Sequence, residues 1–306
     1  VCIEGSAGTG KTLLALEKGR RLVKQDCSVL MLCFNQRLAD FLRSIESDIT
    51  IMTFHELCKS WSEKADILYN VTNESGEAID HFFTYTAPEL LSESISKLDQ
   101  RFDAIIVDEG QDFDECWWIP IEDLQREDGW LYIFYDQRQN VFGRNFNFPI
   151  DTPPFKLSEN CRNATSINDW LKERFSGMVP SKQGAPEGFD PLIFSWKDEE
   201  EQQEHVRKQI NKLCKEGNEL KDMALLTPHK ARNSTLFKLK DGFKDLDIHS
   251  IMGFKGMEAN IIFLCDIGNN EFSSRPDLIF SGASRAKLRL FVFHSEKFDF
   301  QGIKPE

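Results

Sequence analysis

The opening stretch VCIEGSAGTGKT restricts the fold of this chain more than any other. A short apolar run meets Gly5, glycines recur at 8 and 10, and Lys11-Thr12 lead into the periodic segment LLALEKGRRLV. That order reads as a strand, a tight turn and an amphipathic helix. Such a unit leaves apolar surface on both sides of its strand, so it needs further parallel strands and covering helices. The chain supplies them: SVLMLCF, DITIMTF, AIIVDEG and WLYIFYD are apolar runs, with a helix beginning near Gln36 between the first two. The predicted fold class is α/β with parallel sheets.

With 306 residues the chain exceeds a usual single domain, and 41% apolar residues are enough for two cores. Adjacent prolines in DTPPF, after GRNFNFPI, mark the crossing, giving predicted domains of 1–153 and 154–306 with a small insertion at about 57–100. Beyond the crossing come FKLSEN, a helix in ATSINDWLKERF, the strand PLIFSW and a helix from Glu199 to about Lys215 that stops at Gly217. They are followed by MALLTP, a predicted helix from Lys230 to about Lys240, DIHSIMGF, NIIFLCDI, a helix near SGASRAK and LRLFVFHS. No run approaches the roughly 18 apolar residues of a membrane helix, so no membrane partner is expected. The eight cysteines are scattered without a CxxC pair and read as small hydrophobes of a reducing, cytoplasmic compartment. A net charge of −13 argues against coating nucleic acid by bulk electrostatics; a strand would have to be held by a few placed groups.

Gly5-Ser6-Ala7-Gly8-Thr9-Gly10-Lys11-Thr12 fits G-x-x-x-x-G-K-[ST] in the context that gives the pattern meaning, strand before and helix after. Gly5, Gly8 and Gly10 permit the torsions that aim successive N–H groups at phosphate oxygens, Thr9 lies among them, and the helix N-terminus adds its positive dipole end. Lys11 is predicted to bridge β- and γ-phosphates and Thr12 to ligate Mg2+. In AIIVDEGQDF a hydrophobic strand delivers Asp108 and Glu109 to its carboxyl end, where α/β sheets bind ligands. Asp108 is placed for the magnesium shell and Glu109 for the attacking water, since phosphoryl transfer asks mainly for positioning and charge neutralisation.

With these segments in hand, the chain resembles a superfamily 1 helicase-type ATPase of the UvrD/Rep-like group. DEGQ (108–111) resembles D-E-x-Q, which implies that Gln111 links nucleotide to neighbouring motifs. DQRQ (136–139) resembles G-D-x-x-Q, with Gln139 as γ-phosphate sensor; LSENCRN resembles L-x-x-N-Y-R-S, with Arg162 reaching the γ-phosphate from the second domain. FKGMEA resembles the K-G-L-E segment, where Gly256 and Glu258 contact nucleotide, and SGASRAK resembles V-A-x-T-R-A, making Arg285 a second arginine finger. MLCFNQRLADFL and TFHELC resemble strand-contacting segments and implicate Phe34, Asn35, Thr53, Phe54 and His55; Phe142 and Arg144 follow the Gln139 segment, where the resemblance implies side chains near the bound strand. The resemblance implies two RecA-like P-loop NTPase domains with an ATP cleft between them, ATP and Mg2+ as cofactors, and single-stranded DNA rather than RNA as partner.

Some positions depart from the pattern. Tyr135 stands in place of a glycine, Arg144 in place of a base-stacking tryptophan and Met252 in place of a histidine. An adenine-reading glutamine upstream of the phosphate loop has no counterpart, which implies a truncated N-terminus and a fused or associated N-terminal domain. The short interval from Arg162 to Lys255, together with LCFNQRLADFL, resembles helicase-like modules fused to nuclease-related domains. Two functions therefore remain in view: a DNA helicase or translocase motor, and an ATP-controlled switch or interaction module without strand separation. His55 reads equally as a core histidine or a backbone contact to a strand, and Trp117-Trp118 read as core anchors before base-stacking platforms.

Overall fold

The computed structural model describes residues 1–71, 76–139 and 147–303. The chain divides into two compact units, Val1–Gly5 with Lys11–Leu157, and Ser6–Gly10 with Ser158–Glu306.

The first unit contains β1 (Cys2–Glu4), α1 (Lys11–Val23), β2 (Val29–Cys33), α2 (Gln36–Ile45), β3 (Thr50–Thr53), α3 (Phe54–Lys64), α4 (Gly76–His81), a π-helical turn (Phe82–Thr86) and α5 (Ala87–Leu98). It continues through β4 (Phe102–Val107), α6 (Trp118–Asp123), β5 (Gln125–Tyr135) and β6 (Phe155–Lys156). Six parallel strands run in the order β3-β2-β4-β5-β1-β6. Helices cover both faces of the inner strands, so β2 is buried along its whole length and β4 at all but one position. α1 lies close on the sheet at Gly19, where a Cβ would fall 3.4 Å from Ile106 Cδ1 of β4 and 2.6 Å from Ile49 Cδ1, just before β3. The ordered elements between 57 and 100 among the described residues are helices, and α3 and α5 pack on an aromatic cluster in which Phe54 stacks on Trp117 at 4.5 Å and Phe113 on Trp118 at 5.6 Å.

The second unit contains α7 (Thr165–Arg174), β7 (Leu192–Trp196), α8 (Glu199–Lys215), β8 (Met223–Thr227), β9 (Asp247–Ser250), β10 (Ala259–Ile267), α9 (Pro276–Ala283) and β11 (Ala286–Ser295). Its five parallel strands run β7-β11-β10-β8-β9 around stacked Phe263 and Phe291. Asp198 caps α8 by accepting from Glu201 N, and acidic residues fill its first turn, as the helix dipole favours. The helix predicted from Lys230 to Lys240 is absent; two 3₁₀ segments, Ala231–Asn233 and Thr235–Asp241, stand there. Ser234 breaks the run: its backbone is extended and its hydroxyl accepts from Leu236 N, competing with the helical pattern. No helix among the described residues is long and apolar enough to cross a membrane.

Candidate active site

In the first unit, the carboxyl ends of β1, β4 and β5 bring the DEGQ and DQRQ segments against the start of α1. Lys11 Nζ donates to Gly5 O at 2.8 Å and lies 3.9 Å from Asp136 Oδ2, with both side chains buried. Thr12 Oγ1 donates to Asp108 Oδ2 at 2.7 Å. Gln111 ties the two acidic strand ends together: its Nε2 donates to Glu109 Oε2 at 2.5 Å, and its Oε1 accepts from Asp136 N at 2.9 Å. Gln139 Nε2 donates to Asp136 Oδ2 at 2.6 Å. Asp108, Glu109, Gln111, Asp136 and Gln139 are all buried. Glu109 holds this place with a left-handed backbone, φ 57°, a conformation disfavoured for a residue with a Cβ.

The electrostatics of this cluster are poised. Burial, then the adjacent Glu109 charge, push the Asp108 carboxyl up, and the Thr12 hydroxyl and Lys11 only partly oppose them. A cation at this point would reverse the balance. Asp136, quoted in sequence only as part of a motif, is the hub of the cluster, bonded to Gln111 and Gln139 and facing Lys11. Its lone acidic position after a strand gave the sequence reading no signal beyond the DQRQ match.

The second unit holds the rest of the phosphate loop and the two predicted arginine fingers. Gly8 and Gly10 have φ of 79° and 84°, open to glycine and strained for other residues, and Thr9 Oγ1 donates to Ser6 O at 2.9 Å. Arg162 Nε donates to Glu258 Oε2 at 2.7 Å, and Lys287 Nζ lies 3.2 Å from the other carboxylate oxygen. Burial opposes ionisation of Glu258, but Arg162 and Lys287 outweigh it and hold the carboxyl below its usual range. Gly256, two residues before, has φ 82°. Arg285 is buried just past the end of α9, its Nε donating to Ser281 O at 3.0 Å. Asn160, Asn163 and Asn168 are also buried in this unit, with Asn160 donating to the other two, a cluster that no sequence motif singled out.

The predicted strand-contacting residues fare differently. Phe54 is a core side chain, packed among Trp117, Phe113 and His55, so it presents no face to a nucleic acid, contrary to the expectation. Thr53 is buried and caps α3: its hydroxyl accepts from Glu56 N, and Glu56 returns the bond to Thr53 N. Asn35 Oδ1 likewise caps α2 by accepting from Leu38 N. The T-x-x-E spacing of TFHE is a capping-box signature that could have assigned Thr53 this role from sequence. His55 is half-buried, with Nε2 3.1 Å from Phe83 O and its ring against Phe83 and Trp117. Phe34 is half-buried at the end of β2. Trp117 and Trp118 are core residues, as read. Phe142 and Arg144 lie outside the described residues.

A family profile described as an AAA domain matches residues 1–143. Among solved structures, an arterivirus nonstructural protein 10 (helicase) in complex with DNA matches at 14% identity with a TM-score of 0.50, covering 99% of this chain and 61% of that one. The PRRSV helicase matches at 13% identity with a TM-score of 0.52, covering 99% of this chain and 54% of that one. The fold, two parallel sheets in an α/β arrangement, is shared with these helicases. The chain spans less than two thirds of the length of those structures. A search of curated proteins gives no match by sequence. The G-x-x-x-x-G-K-T loop before α1 has the make-up of a phosphate-binding element, which agrees with a buried Lys11 and a half-buried Thr12 set against carboxylates.

Proposed function

We propose that this chain is a magnesium-dependent ATPase of the UvrD/Rep-like group that couples hydrolysis to single-stranded DNA. The observation that carries the reading is the buried network in which Lys11 and Thr12 are held against Asp136 and Asp108, with Glu109 and Gln139 tied into the same hydrogen bonds. Lys11, with Gly5, Gly8, Thr9 and Gly10, binds the phosphates. Glu109 orients and deprotonates the attacking water, its carboxylate aimed by Gln111. Gln139 answers to the γ-phosphate, and Arg162 and Arg285 stabilise transition-state charge, a contribution worth about 10³–10⁵ in rate in related chemistry. Glu258 and Gly256 contact the nucleoside end. Thr12 and Asp108 offer two hard oxygens at 2.7 Å, a donor set that suits magnesium, and they would hold the ion, which neutralises phosphate charge when bound. DNA is favoured because one structural neighbour is a helicase solved with DNA. Phe34 and His55, at the carboxyl ends of β2 and β3, are assigned to the strand, together with Phe142 and Arg144.

The decisive assay measures ATP turnover with and without magnesium and single-stranded DNA. Several-fold stimulation that weakens with added salt supports the motor. Absence of magnesium-dependent turnover refutes the whole reading.

A second reading, an ATP-controlled switch without strand movement, is favoured by one observation. Thr53, Asn35 and Phe54 are spent inside the first unit as caps and core. Magnesium-dependent turnover that ignores every strand offered would select it.

A further inference from the structure

The three buried asparagines of the second unit form a cluster with a determined polarity. Asn160 Nδ2 lies 2.8 Å from Asn163 Oδ1 and 3.0 Å from Asn168 Oδ1, with Ala7 O at 3.3 Å. Its Oδ1 accepts from the backbone N–H groups of Arg162 and Asn163, each at 3.0 Å. The neighbours leave no choice of amide orientation. Asn163 Nδ2 donates to Ser284 O at 3.1 Å and Ala286 O at 2.6 Å; Asn168 Nδ2 donates to Val179 O and Ser181 Oγ, both at 3.0 Å. Both therefore turn oxygens toward Asn160, which must answer with its NH₂ and keep its own oxygen for the backbone.

The cluster thus has three termini. One is the phosphate loop: besides the Ala7 contact, Cys161 N donates to Gly8 O at 2.8 Å, and Gly8 packs so closely that a Cβ would fall 2.6 Å from Asn160 Oδ1. The second is the peptide that carries Arg162. The third is the pair of carbonyls, Ser284 and Ala286, on either side of Arg285. The loop backbone and the frames of both arginines are therefore joined by one fully buried amide and its immediate partner.

We propose that Asn160 is a positioning residue of the ATPase, which registers the phosphate-loop backbone at Ala7–Gly8 and, with Asn163, fixes the peptides bearing Arg162 and Arg285. This inference rests on the proposed function. Asn160 touches no substrate atom; its effect runs through where the guanidinium groups stand. Misplacement of a charge-stabilising group by about 1 Å costs on the order of 100-fold in rate, so the signature is a loss in kcat with substrate affinity retained.

The test compares Asn160→Ala, Asn163→Ser and a control, Leu171→Ala, which removes a buried apolar side chain from α7 without touching the cluster's polar bonds. Steady-state ATP turnover and melting temperature are measured on the intact protein, at a temperature where all variants are folded. The expected result is a kcat lowered about 10- to 100-fold for Asn160→Ala, with KM for ATP within about threefold of the parent. Leu171→Ala should keep the parental kcat despite a lowered melting temperature. Should Asn160→Ala fail to fold, Asn163→Ser carries the test, with a smaller kcat loss expected. Parental kcat in the folded asparagine variants, or an equal kcat loss in Leu171→Ala, overturns the inference while leaving the ATPase assignment standing. A parent without turnover overturns both.

Discussion

Asp136→Asn tests the hub of the first-unit network with nearly isosteric chemistry. The carboxylate faces Lys11 at 3.9 Å, and both side chains are almost fully buried. At an effective dielectric of 20 that separation corresponds to about 4 kcal/mol of attraction. Asp108 also acts on Lys11 and retains part of it. An asparagine keeps an oxygen for Gln139 Nε2 but removes the charge. The net destabilisation is therefore about 3 kcal/mol, the low end for breaking a buried pair, which predicts a melting temperature lower by roughly 6–12 °C. Turnover should fall by about 10- to 100-fold, because Gln139, whose Nε2 donates to the Asp136 carboxylate, loses the charged anchor that orients it. KM for ATP should stay within about threefold, since removing a carboxylate beside Lys11 does not weaken its pull on phosphate. Differential scanning fluorimetry and a coupled ATPase assay read both. A variant that melts and turns over like the parent, or that loses affinity with kcat intact, refutes the argument that Asp136 organises the site.

Lys11→Ala and Glu109→Gln should each suppress turnover strongly, and fluorescent-nucleotide binding should survive only in Glu109→Gln; parental hydrolysis by that variant would remove Glu109 from its role. Phe54→Ala should lower stability by about 3–5 kcal/mol as a core truncation, visible as an early melt, instead of selectively reducing strand stimulation. Glu258, held below its usual carboxyl range, contributes stability that is complete above about pH 4.5 and fades as pH falls through its lowered folded value. An acid melt should accordingly show a shallower low-pH limb for Glu258→Gln.

Much of the fold was legible because buried parallel strands write themselves as unbroken apolar runs. VLMLC, AIIV and IIFLC need no partner in view to be recognised as strands. The Lys230–Lys240 segment misled because LFKLK has helical spacing, whereas one extended serine and its hydroxyl decide the backbone locally. The site was legible where chemistry is written in adjacent letters, as in GSAGTGKT and DEGQ. It was not legible where partners are distant in sequence: the Asp136–Gln111 bond joins positions 25 apart, and Asn160 meets Ala7 across 153. Phe54 shows a different failure. A motif resemblance transfers a position, but the burial of that position follows from Trp117 and Phe113, aromatic residues that the motif does not include.

A comparison within the chain separates backbone strain from function. Asp266, at the carboxyl end of β10, has φ 58° against 57° for Glu109 at the carboxyl end of β4, and each acid is clamped by a glutamine amide, Gln202 and Gln111 respectively. Strain at a strand end would by itself mark both as active. Only Glu109 shares its network with a lysine, a threonine and a second carboxylate of the phosphate-binding motif. Asp266 therefore reads as a structural cost: burial pushes its carboxyl up, against bonds from Ser234 and Gln202. Because the folded value is raised, ionisation destabilises the fold at neutral pH, and that penalty fades as pH falls toward the ordinary 3.8. Asn tolerates the left-handed backbone and carries no charge. Asp266→Asn should melt above the parent at pH 7, by a margin that shrinks toward pH 4, with ATP turnover unchanged. A variant that loses turnover while gaining stability would show that Asp266, too, has been kept for function.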